Sequence, residues 1–189
     1  HFFKRSSCPM SLTVREATAQ DIPALTAIYA HHVLHGFGTF EYVPPSEADF
    51  AEKWRGIREL GLPYLVAADA EVPVGYAYAS TFRPRPGYRY TIEDSVYIRD
   101  DQRGRGVGSA LMGPLLERCE AIGAREVVAV IGDRLNAGSI GLHRNCGVHR
   151  AAAGAQHFGT GIGAQWVGGC HCLLFVSPPR SFRIARWAP

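Results

Sequence analysis

Arg103-Gly104-Arg105-Gly106-Val107-Gly108-Ser109 stands between a run that reads as a strand, Tyr90 to Arg99, and one that turns helical from Gly106. Glycines at alternate positions let a backbone approach an anion closely. The first turn of the following helix adds unpaired N–H groups and the positive end of the helix dipole. With two arginines beside them, these features suit a pyrophosphate. The spacing is not that of a P-loop, because Gly-Lys-Ser/Thr is missing. It is also a poor dinucleotide fingerprint, because no acidic residue ends a second strand about 20 residues on. A merely solvated arginine–glycine loop is the other reading of these residues.

Outward from this loop the pattern is mixed α and β. Upstream, Leu12 to Arg15 can form a strand, and Asp21-Ile22-Pro23 opens a helix in which Ile22, Leu25, Ile28, Tyr29 and Val33 repeat at helical spacing. A glycine-rich loop over residues 35–41 ends it. Ser46 and Asp49 form a capping box for a second helix, whose buried face carries Phe50, Trp54 and Ile57 and which Gly61 closes. Tyr64 to Ala68 and Val74 to Ser80 read as a hairpin. Downstream, Leu111, Leu115, Leu116 and Cys119 continue the helix begun at Gly106, with a kink expected at Pro114. Val127 to Ile131 is a buried strand and Asn136 to Arg144 a short helix.

A chain of 189 residues suits one compact domain. No apolar run is long enough to cross a bilayer, so a cytoplasmic protein is expected. A net charge of +3 is too weak to argue for nucleic acid. The arginines instead gather at 83–89 and 99–105, in two patches suited to small anions. Cys8, Cys119, Cys146, Cys170 and Cys172 are odd in number and unevenly spaced, as reduced thiols are. Cys170-His171-Cys172 lacks the second ligand pair of a usual zinc site, and no metal is expected. Residues 1–9 read as a non-native or disordered leader before Met10.

Arg103, Gly106 and Gly108, following Ser95-Val96-Tyr97-Ile98 and preceding a helix, form a pattern that resembles the acyl-CoA signature of the GNAT acetyltransferases. More narrowly, Gly38-Thr39-Phe40-Glu41, Gly75 to Ala79, Thr91 to Tyr97 and Asn136 to His143 look like the phosphinothricin and methionine sulfoximine N-acetyltransferase branch. The resemblance covers about Leu12 to Gly147. It implies an α/β (α+β) GNAT fold: a mixed, mostly antiparallel central sheet with splayed middle strands, flanked by helices. It also implies acetyl-CoA as co-substrate, a small amine as acceptor, no nucleic-acid or membrane partner, and a homodimer.

By that resemblance the CoA pyrophosphate falls on Arg103, Gly104, Arg105, Gly106, Val107, Gly108 and Ser109. The pantetheine arm falls along Val96, Tyr97 and Ile98 by strand addition, and the thioester end near Asn136 and Ser139. Glu93 is the implied general base, alternating onto one strand face with Ser95 and Tyr97 while Asp94 faces the other. His143 stands where many relatives place a tyrosine acid. Arg83 or Arg85 is expected to hold a substrate carboxylate. Phe40, Glu41, Tyr88 and Ser95 are expected to line the acceptor pocket. No cysteine sits in the motif strand to carry an acyl group, so direct attack in a ternary complex is expected. A catalytically impaired acyl-CoA-binding homologue, or an enzyme for another small amine or a peptide N-terminus, are the alternatives.

The domain is expected over residues 10–176, with 177–189 as a loose tail. Within it, residues 146–176 depart from the branch near Asn145 to Val148, where Cys146-Gly147-Val148-His149-Arg150 replaces a Leu-Gly-Phe-like turn. A reading-frame change accounts for this departure. A variable hairpin ending in Leu173-Leu174-Phe175-Val176 is the alternative.

Overall fold

The computed structural model describes residues 11–36, 38–131 and 135–147, with the backbone of two further strands at 149–153 and 173–177. Residues 1–10, 154–172 and all of 178–189 in the expected tail lie outside the described residues, and with them the Cys170-His171-Cys172 cluster; Ser177 does not, because it ends a strand. The elements run β1 Leu12–Glu16, α1 Ile22–His35, α2 Glu47–Glu59, β2 Tyr64–Asp69, β3 Val72–Thr81 and β4 Thr91–Ile98. They continue with α3 Val107–Ala121, β5 Glu126–Ile131, α4 Ala137–Asn145, β6 His149–Ala153 and β7 Leu173–Ser177. The sheet order is β1-β2-β3-β4-β5-β7-β6. β4 and β5 are parallel, and every other neighbouring pair is antiparallel. This is the mixed GNAT fold.

Local chemistry explains the helix starts. Ser46 Oγ accepts the Asp49 N–H at 3.2 Å and the Asp49 carboxylate accepts the Ser46 N–H at 3.3 Å, the reciprocal capping box. Asp21 does not cap α1 with its side chain. Its carboxylate turns back to accept from the Thr18 N–H at 2.7 Å and from both terminal nitrogens of Arg15 at 2.8 Å. A bidentate arginine competes better for that carboxylate than a helix-start amide. Pro114 sits inside α3, which runs on through it; the ring leaves the Ala110 carbonyl without its usual donor.

Alternation divides the sheet between two helical layers. Tyr64, Tyr76, Tyr78 and Tyr97 point to the α1 and α2 side, where Tyr76 packs edge-on to Phe50 and Tyr97 edge-on to Tyr29. The opposite face meets α3, whose Leu111, Met112, Leu115 and Cys119 are fully buried. Burial pushes the Cys119 thiol up to about 12, so it stays protonated.

Gly75 lets β3 and α3 approach. A Cβ there would stand 2.7 Å from Ile98 Cδ1 and 3.1 Å from both the Tyr97 carbonyl oxygen and Val107 Cγ1. Gly75→Ala is therefore expected to cost about 1–3 kcal/mol through overpacking. The check is urea unfolding: the midpoint should fall with the slope unchanged, and a wild-type midpoint would contradict this account of β3.

Candidate active site

The site begins with a parting of strands. β4 and β5 pair only from Thr91↔Glu126 to Asp94↔Ala129. Beyond Asp94, residues 95–98 have no β5 partner, while Val130 and Ile131 continue on β7 alone. The β5-facing edge of β4 thus turns backbone donors and acceptors into an open fork, the arrangement that an extended ligand completes by strand addition.

The loop from Arg103 to Ser109 stands at the open end of this fork, between β4 and α3. Gly104 and Gly106 have φ of +73° and +83°, the left-handed conformation that side chains resist. Gly106 immediately precedes α3, and the Ala110 N–H donates to its carbonyl at 3.0 Å. The N–H groups of Val107, Gly108 and Ser109 therefore face outward without intrahelical acceptors. Gly108 has a packing task as well. A Cβ there would meet Leu142 at 3.0 Å, so the missing side chain lets α4 close on α3. The arginines are also engaged: Arg103 pairs with Asp100 at 3.2 Å, and Arg105 donates to Gln102 Oε1 at 2.7 Å. Exposed contacts of this kind are worth about 1 kcal/mol or less, so both can turn to a phosphate.

Around the vertex of the fork, β4 presents two chemistries. Glu93, Ser95 and Tyr97 lie on the α1–α2 side, as alternation requires. Glu93 is half-buried, and burial, with the like charge of Asp94, raises its pKa against the opposing pull of Arg83 and Lys53. Ser95 and Val96 are half-buried and Ile98 likewise, while Tyr97 is buried.

Asp94 lies on the other face, 5 % exposed, with its Oδ2 2.9 Å from Nε2 of His143, itself 4 % exposed. Nδ1 of His143 is 2.7 Å from the Ser139 carbonyl, which can only accept, so Nδ1 carries a proton. Burial lowers the pKa of the ring, but the hydrogen bond and charge of Asp94, with the Ser139 carbonyl, reverse this and raise it overall. His143 is thus the cationic half of a buried pair. Both of its nitrogens have hydrogen-bond partners, and it lies across β4 from Glu93. Asn136 and Ser139 are likewise used within α4. Asn136 Oδ1 accepts the Ser139 N–H at 3.1 Å as the helix cap, and Ser139 Oγ lies 3.3 Å from Nδ1 of His143.

The expected acceptor residues are dispersed. Phe40 and Glu41 are exposed on the α1–α2 loop, where Thr39 is held by the Tyr29 hydroxyl at 2.9 Å. Arg85 is exposed at a short turn closed by the Tyr88 N–H. Arg83 and Tyr88 line a cleft of about 450 Å³ with Leu60, Leu62, Ile92 and Ile122. That cleft lies at the paired end of β4, away from the vertex, and Glu93 is not in its wall.

Sequence reasoning missed Asp94 as the partner of His143, and Lys53, whose charge reaches Glu93 from α2. The signal for Asp94 was present: alternation turns a carboxylate into a packed face, where it needs a cation. Among the described residues, no cluster of His, Cys, Asp and Glu could hold a metal, and no helix is long and apolar enough to cross a membrane.

Comparison with known proteins agrees with this geometry. Residues 29–148 match the Acetyltransferase (GNAT) family. The chain is 48% identical over 139 residues to a phosphinothricin N-acetyltransferase of Alcaligenes faecalis, covering 74% of this chain and 71% of the relative. It is 39% identical over 174 residues to an L-methionine sulfoximine/L-methionine sulfone acetyltransferase of Pseudomonas aeruginosa, covering 91% and 99%. The crystal structure of a phosphinothricin acetyltransferase from Sinorhizobium meliloti in complex with AcCoA superposes with a TM-score of 0.79 at 40% identity, covering 90% of this chain and 89% of the other. With the fork, the glycine loop and these relatives together, the chain belongs to the GNAT acetyltransferase family.

Proposed function

We propose that the chain moves the acetyl group of acetyl-CoA to the amino group of a small amino-acid-like molecule of the phosphinothricin or methionine sulfoximine type, as a cytoplasmic homodimer. The observation that carries this reading is Glu93, half-buried with a raised pKa, on a strand that leaves its neighbour one residue later. Relatives named for these acceptors support it.

The residues fit acetyl-CoA. Gly104 and Gly106 remove the side chains that would obstruct a pyrophosphate, and the first turn of α3 supplies donors. The open edge of β4 at Val96, Tyr97 and Ile98 suits an amide-bearing arm. Acetyl-CoA supplies there a thioester carbonyl, activated toward amines. Glu93 takes the proton that an ammonium acceptor must lose, directly or through one water, so that the nitrogen lone pair is free to form the N–C bond; as the C–S bond breaks, the second proton of the nitrogen goes to the departing CoA thiolate. Backbone N–H groups of β4 near Val96 serve the carbonyl oxygen. Arg83 adds positive charge toward the acceptor side, and His143 fixes α4 on β4 at the vertex.

Two tests follow from this assignment. Gly106→Asp and Gly106→Asn impose similar bulk on a left-handed position that asparagine tolerates, but only the first adds charge. Calorimetry should show CoA binding weakened far more by Asp than by Asn; equal affinities would remove the pyrophosphate from this loop.

For Glu93 the sign is fixed by its raised pKa. The base is protonated and inactive below that pKa, so kcat/KM should fall on the acid side at a pH above the ordinary glutamic acid range. Glu93→Gln should lose that limb, lower turnover by about 10²–10⁴-fold at neutral pH, and recover partly as alkali supplies free amine. A raised carboxyl pKa also means that folding favours the protonated form. Stability from this group is full below its unfolded pKa and lost as pH rises through the folded one. Glu93→Gln should therefore unfold at a higher temperature than wild type at pH 7 while turning over more slowly. Wild-type thiol release across the pH range would exclude Glu93 from catalysis.

A further inference from the structure

Lys53 projects from α2 over the same face of the sheet that carries Glu93. Its Nζ lies 5.3 Å from the ring centre of Tyr78 and 5.7 Å from that of Tyr29. Tyr78 is the cross-strand partner of Ser95, and the next pair on that face is Ser80 with Glu93. Tyr29 packs edge-on to Tyr97 with ring centres 5.0 Å apart. The ammonium therefore hangs above the row Glu93, Ser95, Tyr97. Although much of the residue is exposed, its charged end is drawn back among phenol rings. Two ring faces replace only part of an ammonium's hydration. Among the described residues, no carboxylate forms an ion pair with it. Its field reaches Glu93, and it feels that of Glu41.

We propose that Lys53 binds the carboxylate of the acceptor and makes the enzyme specific for free α-amino acids. This rests on the acetyl-transfer reading of the same site. In an α-amino acid the amine and the carboxylate share one carbon. Holding the carboxylate on Lys53 therefore leaves the amine to face Glu93, beneath it on β4. The cation also works on the amine itself, since positive charge nearby disfavours the ammonium form and so assists loss of its proton. Arg83 carries its guanidinium on an exposed loop, 5.2 Å over the ring of Phe82. An amide, an ester or a peptide N-terminus offers Lys53 no charge and should be a poor acceptor.

The test compares methionine sulfone with its carboxamide in thiol-release kinetics, using wild type, Lys53→Met and Lys53→Arg. Lys53→Met keeps the stem over the rings and removes only the charge. It should raise KM for the acid about 10- to 100-fold, the worth of one charged hydrogen bond. kcat should change much less, and KM for the carboxamide and for acetyl-CoA should stay as they are. Lys53→Arg should restore part of the loss. Equal rises for acid and carboxamide, or no rise for either, would overturn the proposal. So would a wild-type enzyme that accepts the carboxamide as well as the acid, a result that needs no variant to fold. Calorimetric titration of methionine sulfone into the protein saturated with CoA separates this proposal from the reaction it rests on. Binding that Lys53→Met abolishes, without acetylation of any amine by wild type, would refute the reaction and keep the carboxylate site. Acetylation of simple amines with no binding of methionine sulfone or any other α-amino acid would keep the reaction and refute the site.

Discussion

Everything at this site depends on β4 and β5 parting after Asp94↔Ala129. The order β1-β2-β3-β4-β5-β7-β6 puts that parting in the middle of the sheet, where unpaired backbone is costly to hide, and not at an edge, where water would satisfy it. The parallel pairing also fixes what must stand at the mouth. A strand, a crossover helix and a second parallel strand bring the start of the helix to the end where the first strand finishes. The turn from Arg103 to Gly106 and the first turn of α3 are thus delivered to the open end of the fork by topology, with their donors outward. A ligand with an anionic group and an amide-bearing arm meets both in one pose.

The vertex itself is held by charge. Asp94 and His143 are both nearly inaccessible to solvent, and a pair so buried gains little net stability after its desolvation is counted. Removing one partner is another matter, at about 3–5 kcal/mol, because the other is left charged and alone. The pair therefore acts mainly on position: it keeps α4 against β4 where the strands separate, while Gly108 lets Leu142 close the gap between α3 and α4. Across the strand, Glu93 sits under the opposing influences of burial, Asp94, Arg83 and Lys53, and burial prevails. One strand thereby carries a carboxylate bonded to His143 and, next to it on the other face, one whose pKa burial raises.

Much of this was legible in the sequence because the informative signals are local. Helical spacing in α1 and α2, the box at Ser46 and Asp49, and the glycines before α3 each depend on residues within one or two turns. Alternation along β4 was enough to put Glu93 and Asp94 on opposite faces. What was not legible depended on elements distant in the chain. Asp21 is drawn from its capping duty by Arg15, which only the folded β1 brings near. His143 finds Asp94 49 residues away, and that contact decides that its nitrogens are occupied. That Gly108 also makes room for α4 shows only once Leu142 packs on it. Lys53 gave no sign at all, because one lysine on an exposed helix face looks like any other until the rings beneath it are known.

Those rings have a consequence of their own. Tyr64 and Tyr78 lie nearly parallel with centres 4.8 Å apart, Tyr64 and Tyr76 at 5.8 Å, and Tyr76 and Tyr97 at 5.2 Å. Phenols stacked this closely, in a chiral array and shielded from water, couple their electronic transitions. The molecule therefore carries a built-in chromophore across β2, β3 and β4, on the face that receives the acceptor. Its near-ultraviolet circular dichroism should register the assembly of that face separately from Trp54, which does not belong to the stack.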